Sequence, residues 1–191
     1  MIELKKVSFS YGSNQVLKNF SIKINDGDRI CLYGDSGIGK TTIIRLILGL
    51  EKADKNSVVC TDKKISVVFQ EDRLLPFKTV QDNISMFANT DRNDYMLSSL
   101  GIFQVKDKYP SELSGGMLRR AAIARALSVD ADVYIFDEPF TGLDNNNINC
   151  AISLINEITE NKTLITVLHN KENAVDLKCN IIEIADLCRT D

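Results

Sequence analysis

The sequence predicts an α/β chain with a mainly parallel sheet, a small antiparallel sheet at its start, and an inserted helical segment. Three observations carry that reading. Short apolar runs recur at Arg29–Tyr33, 65–69, 133–136, 164–168 and 181–185, as expected of strands buried on both faces. Helical patterns lie between several of these runs, which places neighbouring strands parallel through crossovers. From 74 to 113 the runs stop; the chain turns polar between helical patches and carries Pro76 and Pro110.

Taken in order, 2–7 reads as a strand. Phe20, Ile22 and Ile24 alternate with Ser21, Lys23 and Asn25, a half-buried strand closed by a turn at Asp26-Gly27. Arg29–Tyr33 runs into a glycine-rich loop, and 40–50 follows as a helix with Gly49 near its end. A helix over 114–127 sets Leu113, Met117, Ala121, Ala124 and Leu127 along one side. Another covers 147–159. With 191 residues, one domain is expected at roughly 150 residues per domain. Its core and antiparallel lobes take about 1–70 and 113–191, and its helical lobe about 71–112.

A hydrophobic content of 44% allows a sizeable core. The formal charge of -3 and the lack of a basic block give no electrostatic reason to expect nucleic acid. No stretch approaches the ~18 apolar residues of a membrane helix, and no signal peptide is read at the start. Work at a membrane would therefore go through a partner. The five cysteines are scattered, without a CxxC pair, and read as reduced thiols of a cytosolic protein. The single histidine, His169, has no cysteine near it in sequence, which speaks against a cysteine–histidine metal site.

Gly34-Asp35-Ser36-Gly37-Ile38-Gly39-Lys40-Thr41 fits GxxxxGK[ST], the P-loop of nucleoside triphosphatases, and Thr42 continues it. Its glycines let the backbone turn N–H groups onto phosphate oxygens, and the helix that follows presents its positive end to the same charge. Lys40 can reach the β and γ phosphates, and the Thr41 hydroxyl can ligate Mg²⁺. A nucleoside triphosphate and Mg²⁺ are the expected ligands, and the P-loop alone leaves kinases, GTPases and motor ATPases open. A strand precedes the loop and a helix follows it, as the motif demands. The second apolar strand of interest ends in Asp137-Glu138. Asp137 suits a Mg²⁺ ligand, and Glu138 a base that orients and deprotonates water.

Leu113-Ser114-Gly115-Gly116-Met117 narrows the choice. Here the chain resembles the ABC ATPases, specifically the nucleotide-binding subunits of transporters. The resemblance runs from about residue 2 to 185, with Tyr11, the P-loop, Gln70, the signature at 113–117, Asp137-Glu138, Asp144 and His169 in family order. It implies a head-to-tail dimer in which ATP is held between one subunit's P-loop and the other's Ser114, Gly115 and Gly116. It implies that Gln70 contacts Mg²⁺ or the attacking water, and that His169 contacts the γ phosphate and positions Glu138. Asp144 would reach across the dimer, and Tyr11 would stack on adenine. The second ATPase subunit is expected to be another copy of this chain. Integral membrane permease subunits would dock on the helical lobe at the cytoplasmic face, with a solute-binding protein in the full complex.

Gln70 to Pro76, Thr79-Val80 and Asp82-Asn83-Ile84 resemble the importer branch for nitrate, sulfonates and taurine. Three departures stand out. Met117 replaces the usual glutamine, so that position should pack rather than hydrogen-bond. The arm after the P-loop helix is reduced to 51–62, which leaves the size of the antiparallel sheet open. The chain stops soon after 185, leaving no room for a regulatory C-terminal domain.

The alternatives predict features that the sequence lacks. A soluble ABC ATPase acting in assembly or nucleic-acid handling would carry a long insertion, a second ATPase domain or a basic patch. A small-molecule kinase would have no use for 113–117 or Asp144. A relative that binds without turnover would have lost Lys40, Asp137, Glu138 or His169.

Overall fold

The computed structural model describes residues 1–53, 57–60, 62–86 and 92–187. Strand β1 (Ile2–Tyr11) turns through Gly12 and Ser13 into β2 (Asn14–Ile24), with Tyr11 opposite Asn14. Gly12 has φ 59, which a tight hairpin turn needs and glycine supplies. Beyond the turn come β3 (Arg29–Tyr33), α1 (Lys40–Ile47), β4 (Val58–Cys60) and β5 (Ile65–Val68). The segment after it holds α2 (Val80–Ser85), α3 (Arg92–Ser99) and 3-10 turns at Phe103–Val105 and Pro110–Glu112. The chain then runs through α4 (Gly115–Ser128), β6 (Val133–Asp137), α5 (Asn145–Ile158), β7 (Thr163–Val167), α6 (Lys171–Asp176), β8 (Asn180–Glu183) and α7 (Ile184–Leu187).

Five strands form a parallel sheet in the order β5-β6-β7-β3-β8. The antiparallel sheet has three strands, β2-β1-β4. So the shortened arm still donates β4 to it, although residues 54–56 and 61 of the arm lie outside the described residues.

Side-chain alternation splits the core between the two faces of the parallel sheet. Val133 and Ile135 of β6 join Ile30, Leu32, Ile165 and Val167, together with α1 and the antiparallel sheet. Tyr134 and Phe136 point the other way, into a core with α4, α5 and the helical segment. Every residue of β6 and β7 is buried. That is why 133–136 reads as an unbroken apolar run and 164–168 as one interrupted only by Thr166. Each buried Ile or Leu contributes roughly 2 kcal/mol of transfer free energy.

Three expectations change in ways that have a clear cause. Helix α1 stops at Ile47 because Gly49 takes φ 68, with Gly49 N–H donating to Leu46 O and Leu50 N–H to Arg45 O, a closed helix end. The last strand stops at Glu183, and Ile184 and Ala185 turn helical instead. Helix α4 is buried on more than one side: Arg119, Ala121 to Ala124 and Ala126 to Ser128 are all covered. It lies against α2, α3, α5 and β5 at once, so the single apolar side expected for it was too narrow.

Candidate functional site

Parallel strands deliver their carboxyl ends to one edge, where open α/β sheets bind ligands. Along that edge β5 delivers Gln70, β6 delivers Asp137 and Glu138, β7 delivers His169, and β3 delivers the loop from Gly34. Residues scattered along the chain thus become neighbours.

The loop is held by its glycines. Gly34, Gly37 and Gly39 have φ 151, 83 and 108. Gly39 begins α1 in the left-handed region, and a Cβ there would sit 2.9 Å from Leu17 Cδ2 and 3.0 Å from Val16 Cγ1. Strand β2 therefore supports the loop from beneath, and only glycine fits. Lys40 is buried, and its Nζ donates to Gly34 O at 2.6 Å and Asp35 O at 2.8 Å. The ammonium is centred over the loop. Asp35 O also accepts from Ile38 N–H at 3.3 Å.

Thr41 Oγ1 donates to Asp137 Oδ2 at 3.0 Å. Asp137 is 1% exposed, and among the described residues its Oδ1 has no hydrogen-bond partner. Burial pushes its carboxyl above the ordinary range; the Thr41 bond opposes that, and Glu138 adds to it. A buried carboxylate with an unused oxygen beside a threonine hydroxyl has the donor set of a hard divalent cation.

Glu138 stands in the left-handed region at φ 51, uncommon for a residue with a side chain. Its Oε1 is 2.8 Å from His169 Nε2, and its Oε2 accepts from Gln70 Nε2 at 3.4 Å. One carboxylate is thus held from both flanking strands.

Tyr11, Val16, Ser36, Gly37, Gly39, Lys40, Thr41, Thr42, Gln70 and Glu138 line one cleft of about 340 Å³. Tyr11 is 41% exposed. Its ring meets Phe9 edge-on at 5.0 Å, and its hydroxyl donates to Glu51 Oε1 at 3.1 Å. That leaves an aromatic surface at the mouth of the cleft.

Ser114, Gly115, Gly116 and Asp144 are not among the residues lining this cleft. Ser114 caps α4 by accepting from Met117 N–H at 3.4 Å, and Asp144 caps α5 by accepting from Asn147 N–H at 2.9 Å. A Cβ on Gly116 would lie 3.5 Å from Gly142 O and 3.6 Å from Leu143 Cδ2, while one on Gly115 would meet nothing within 4 Å. The two caps therefore belong to a second surface, open at Gly115. Met117 is half-buried and packs against the core, in keeping with an apolar side chain there.

Two contributors escaped the sequence reading. Val16 lines the cleft from β2. Arg119, in Leu118-Arg119-Arg120, looks like a charge on the wet side of a helix, yet it is 3% exposed. The one signal was its place in a helix that begins at the signature.

A parallel sheet with a P-loop, a buried aspartate and a held glutamate at its carboxyl edge defines a P-loop ATPase. The sequence matches the ABC transporter family over residues 17–141. It is 34% identical to the arginine transport ATP-binding protein ArtM of Bacillus subtilis (strain 168), across 88% of this chain and 81% of that one. It is also 34% identical to the aliphatic sulfonates import ATP-binding protein SsuB 1 of Paracoccus denitrificans (strain Pd 1222), across 97% and 79%. A dimeric bacterial ABC transporter cassette superposes with a TM-score of 0.82 at 26% identity, covering 96% of this chain and 95% of that chain. The chain belongs to the ABC transporter family, as an ATP-binding and ATP-hydrolysing subunit.

Proposed function

We propose that this chain powers solute import by closing on ATP as a head-to-tail dimer beneath a membrane permease, with Glu138 as the base of hydrolysis. The observation that carries the reading is Glu138, held between His169 and Gln70 in the cleft that Lys40 and Thr41 line. Glu138 takes a proton from water as the water oxygen bonds to the γ phosphorus and the bond to the bridging oxygen breaks. Lys40 and the loop N–H groups hold the phosphates, and Tyr11 offers its ring to adenine.

Thr41 and Asp137 would hold Mg²⁺, with Gln70 near it. When bound, the ion neutralises phosphate charge and offsets the cost of the buried Asp137 carboxylate.

Ser114, Gly115 and Gly116 complete the site of the other copy. Their open surface, apart from the chain's own cleft, supports that reading. Import is supported by the likeness to SsuB 1, an import ATP-binding protein, and a solute-binding protein would then bring cargo to the permease. No helix of the described residues is long and apolar enough to cross a membrane. In this reading the permease anchors the chain at the cytoplasmic face. Exposed Phe77 and Tyr109 flank the start of α2, where Val80 N–H and Gln81 N–H bond Lys108 O and Lys106 O. They offer the permease an apolar surface.

The test is Glu138→Gln. ATP binding should persist, hydrolysis should fall about 10³-fold, and an ATP-bound dimer should accumulate on size exclusion. Hydrolysis at the parent rate would remove Glu138 as the base.

A further inference from the structure

Helix α4 starts at the signature and carries Arg119 inward. The guanidinium donates to Phe69 O at 2.7 Å, Asp137 O at 3.0 Å and Pro139 O at 3.1 Å, and to Glu138 O. It also pairs with Asp72 Oδ1 at 3.1 Å. Phe69 precedes Gln70, and the other carbonyls belong to Glu138 and its two neighbours. One planar, rigid fork of donors therefore grips both segments that present Gln70 and Glu138.

The grip falls where the backbone needs it. Glu138 sits at φ 51, a conformation that persists only when its surroundings over-determine it. Arg119 bonds the carbonyl of Glu138 and those on either side. Arg125, further along α4, adds bonds to Arg73 O at 2.7 Å and Asp72 O at 3.2 Å, fixing the same loop after Gln70.

We infer that Arg119 is a positioning residue for ATP hydrolysis: through backbone carbonyls it sets the aim of Glu138 and Gln70, and it ties them to the helix that begins at Ser114. The inference rests on Glu138 as the base. A guanidinium that merely fills buried acceptors would serve stability alone, and the two roles separate experimentally.

Arg119→Gln keeps an amide donor and removes the fork; Arg119→Lys keeps the charge. For Arg119→Gln, kcat should fall about 10²-fold, the loss expected when a reacting group is misplaced by about 1 Å. The KM for ATP and the Kd of a fluorescent ATP analogue should stay unchanged. Arg119→Lys should recover part of kcat. In the Glu138→Gln background, single-turnover hydrolysis should show a much smaller further loss, since only Gln70 is left to aim. Parent kcat in Arg119→Gln would overturn the role. So would a fall in ATP affinity that accounts for the lost rate, a full additional loss on top of Glu138→Gln, or failure of both variants to fold. If Glu138→Gln itself hydrolysed normally, the base assignment would fail; if it were inactive while Arg119→Gln ran normally, positioning alone would fail.

Discussion

His169 Nε2 lies 2.8 Å from Glu138 Oε1, and the two reach each other from the ends of adjacent strands. The Glu138 N–H donates to Val167 O at 3.1 Å, so backbone and side chain are both tied to β7. The Gln70 contact at 3.4 Å on the other oxygen is looser. The carboxylate thus has one firm lateral restraint, and it comes from the chain's only histidine.

Replacing His169 with Ala removes that restraint and leaves the phosphate loop intact. We expect kcat to fall about 10²-fold while ATP still binds through Lys40 and the loop. Steady-state hydrolysis beside equilibrium nucleotide binding checks this. A variant that lost binding and kept its turnover number would assign His169 to holding nucleotide instead.

How legible this site was depends on whether a residue acts through its side chain at a motif position. Lys40, Asp137 and Glu138 were legible because a strand, a loop and a helix frame them at fixed spacing. That the P-loop and Asp137 meet was readable from chemistry, and the resemblance already pointed His169 at Glu138; that Gln70 bonds the same carboxylate follows from the strand order β5-β6-β7-β3, which single-strand patterns do not encode. Arg119 was illegible for a physical reason. Its partners are backbone carbonyls, which leave no trace in residue type, and an arginine on a helix ordinarily faces water. The start of α7 at Ile184 was hidden likewise, because an apolar residue ends a strand or opens a helix equally well.

Asp137 carries a cost that the proposed Mg²⁺ site would explain. Its carboxylate is buried, its Oδ1 has no partner among the described residues, and burial raises its pKa. Asp137→Asn removes the charge and keeps an oxygen for the Thr41 hydroxyl. Without nucleotide or divalent cation, the variant should be more stable by about 1 kcal/mol, or about 3 °C in Tm. Thermal unfolding in chelator reads this directly. An unchanged or lower Tm would mean the carboxylate is better satisfied than its geometry indicates.

The thiols should separate by burial. Cys31 and Cys179 are buried and Cys150 is exposed, whereas the Cys60 side chain and Cys188 lie outside the described residues. Burial pushes Cys31 from 9.0 up to about 11 and Cys179 up to about 12. The thiolate is the reactive form. In folded protein at about pH 8, an alkylating reagent should modify Cys150 and reach Cys31 and Cys179 only after unfolding, as peptide mass spectrometry would reveal. The same shifts set a sign for stability. The folded state keeps these protons above pH 9.0, where the unfolded chain loses them, so stability falls as pH rises from 9.0 towards about 11 and 12. Alkaline destabilisation that stayed equally steep in Cys31→Ala and Cys179→Ala would trace it to other groups.

The sharpest expectation for the dimer concerns Ser114. Its hydroxyl caps α4, and beside it Gly115 leaves open space around the helix start. Ser114→Arg sacrifices the cap, worth about 1 kcal/mol, and sets a bulky cation on the surface assigned to the other copy's nucleotide. The chain's own cleft is lined elsewhere, by Tyr11, the P-loop, Gln70 and Glu138. The variant should therefore stay folded and bind ATP as a monomer. Built into Glu138→Gln, it should prevent the ATP-bound dimer from forming on size exclusion. Mixing should then expose the geometry. A head-to-tail pair of one Ser114→Arg copy and one parent copy keeps one intact composite site, so parent protein should rescue part of the hydrolysis. Full activity of Ser114→Arg alone would detach the signature from ATP, and lost nucleotide binding in the isolated variant would place Ser114 in its own subunit's site.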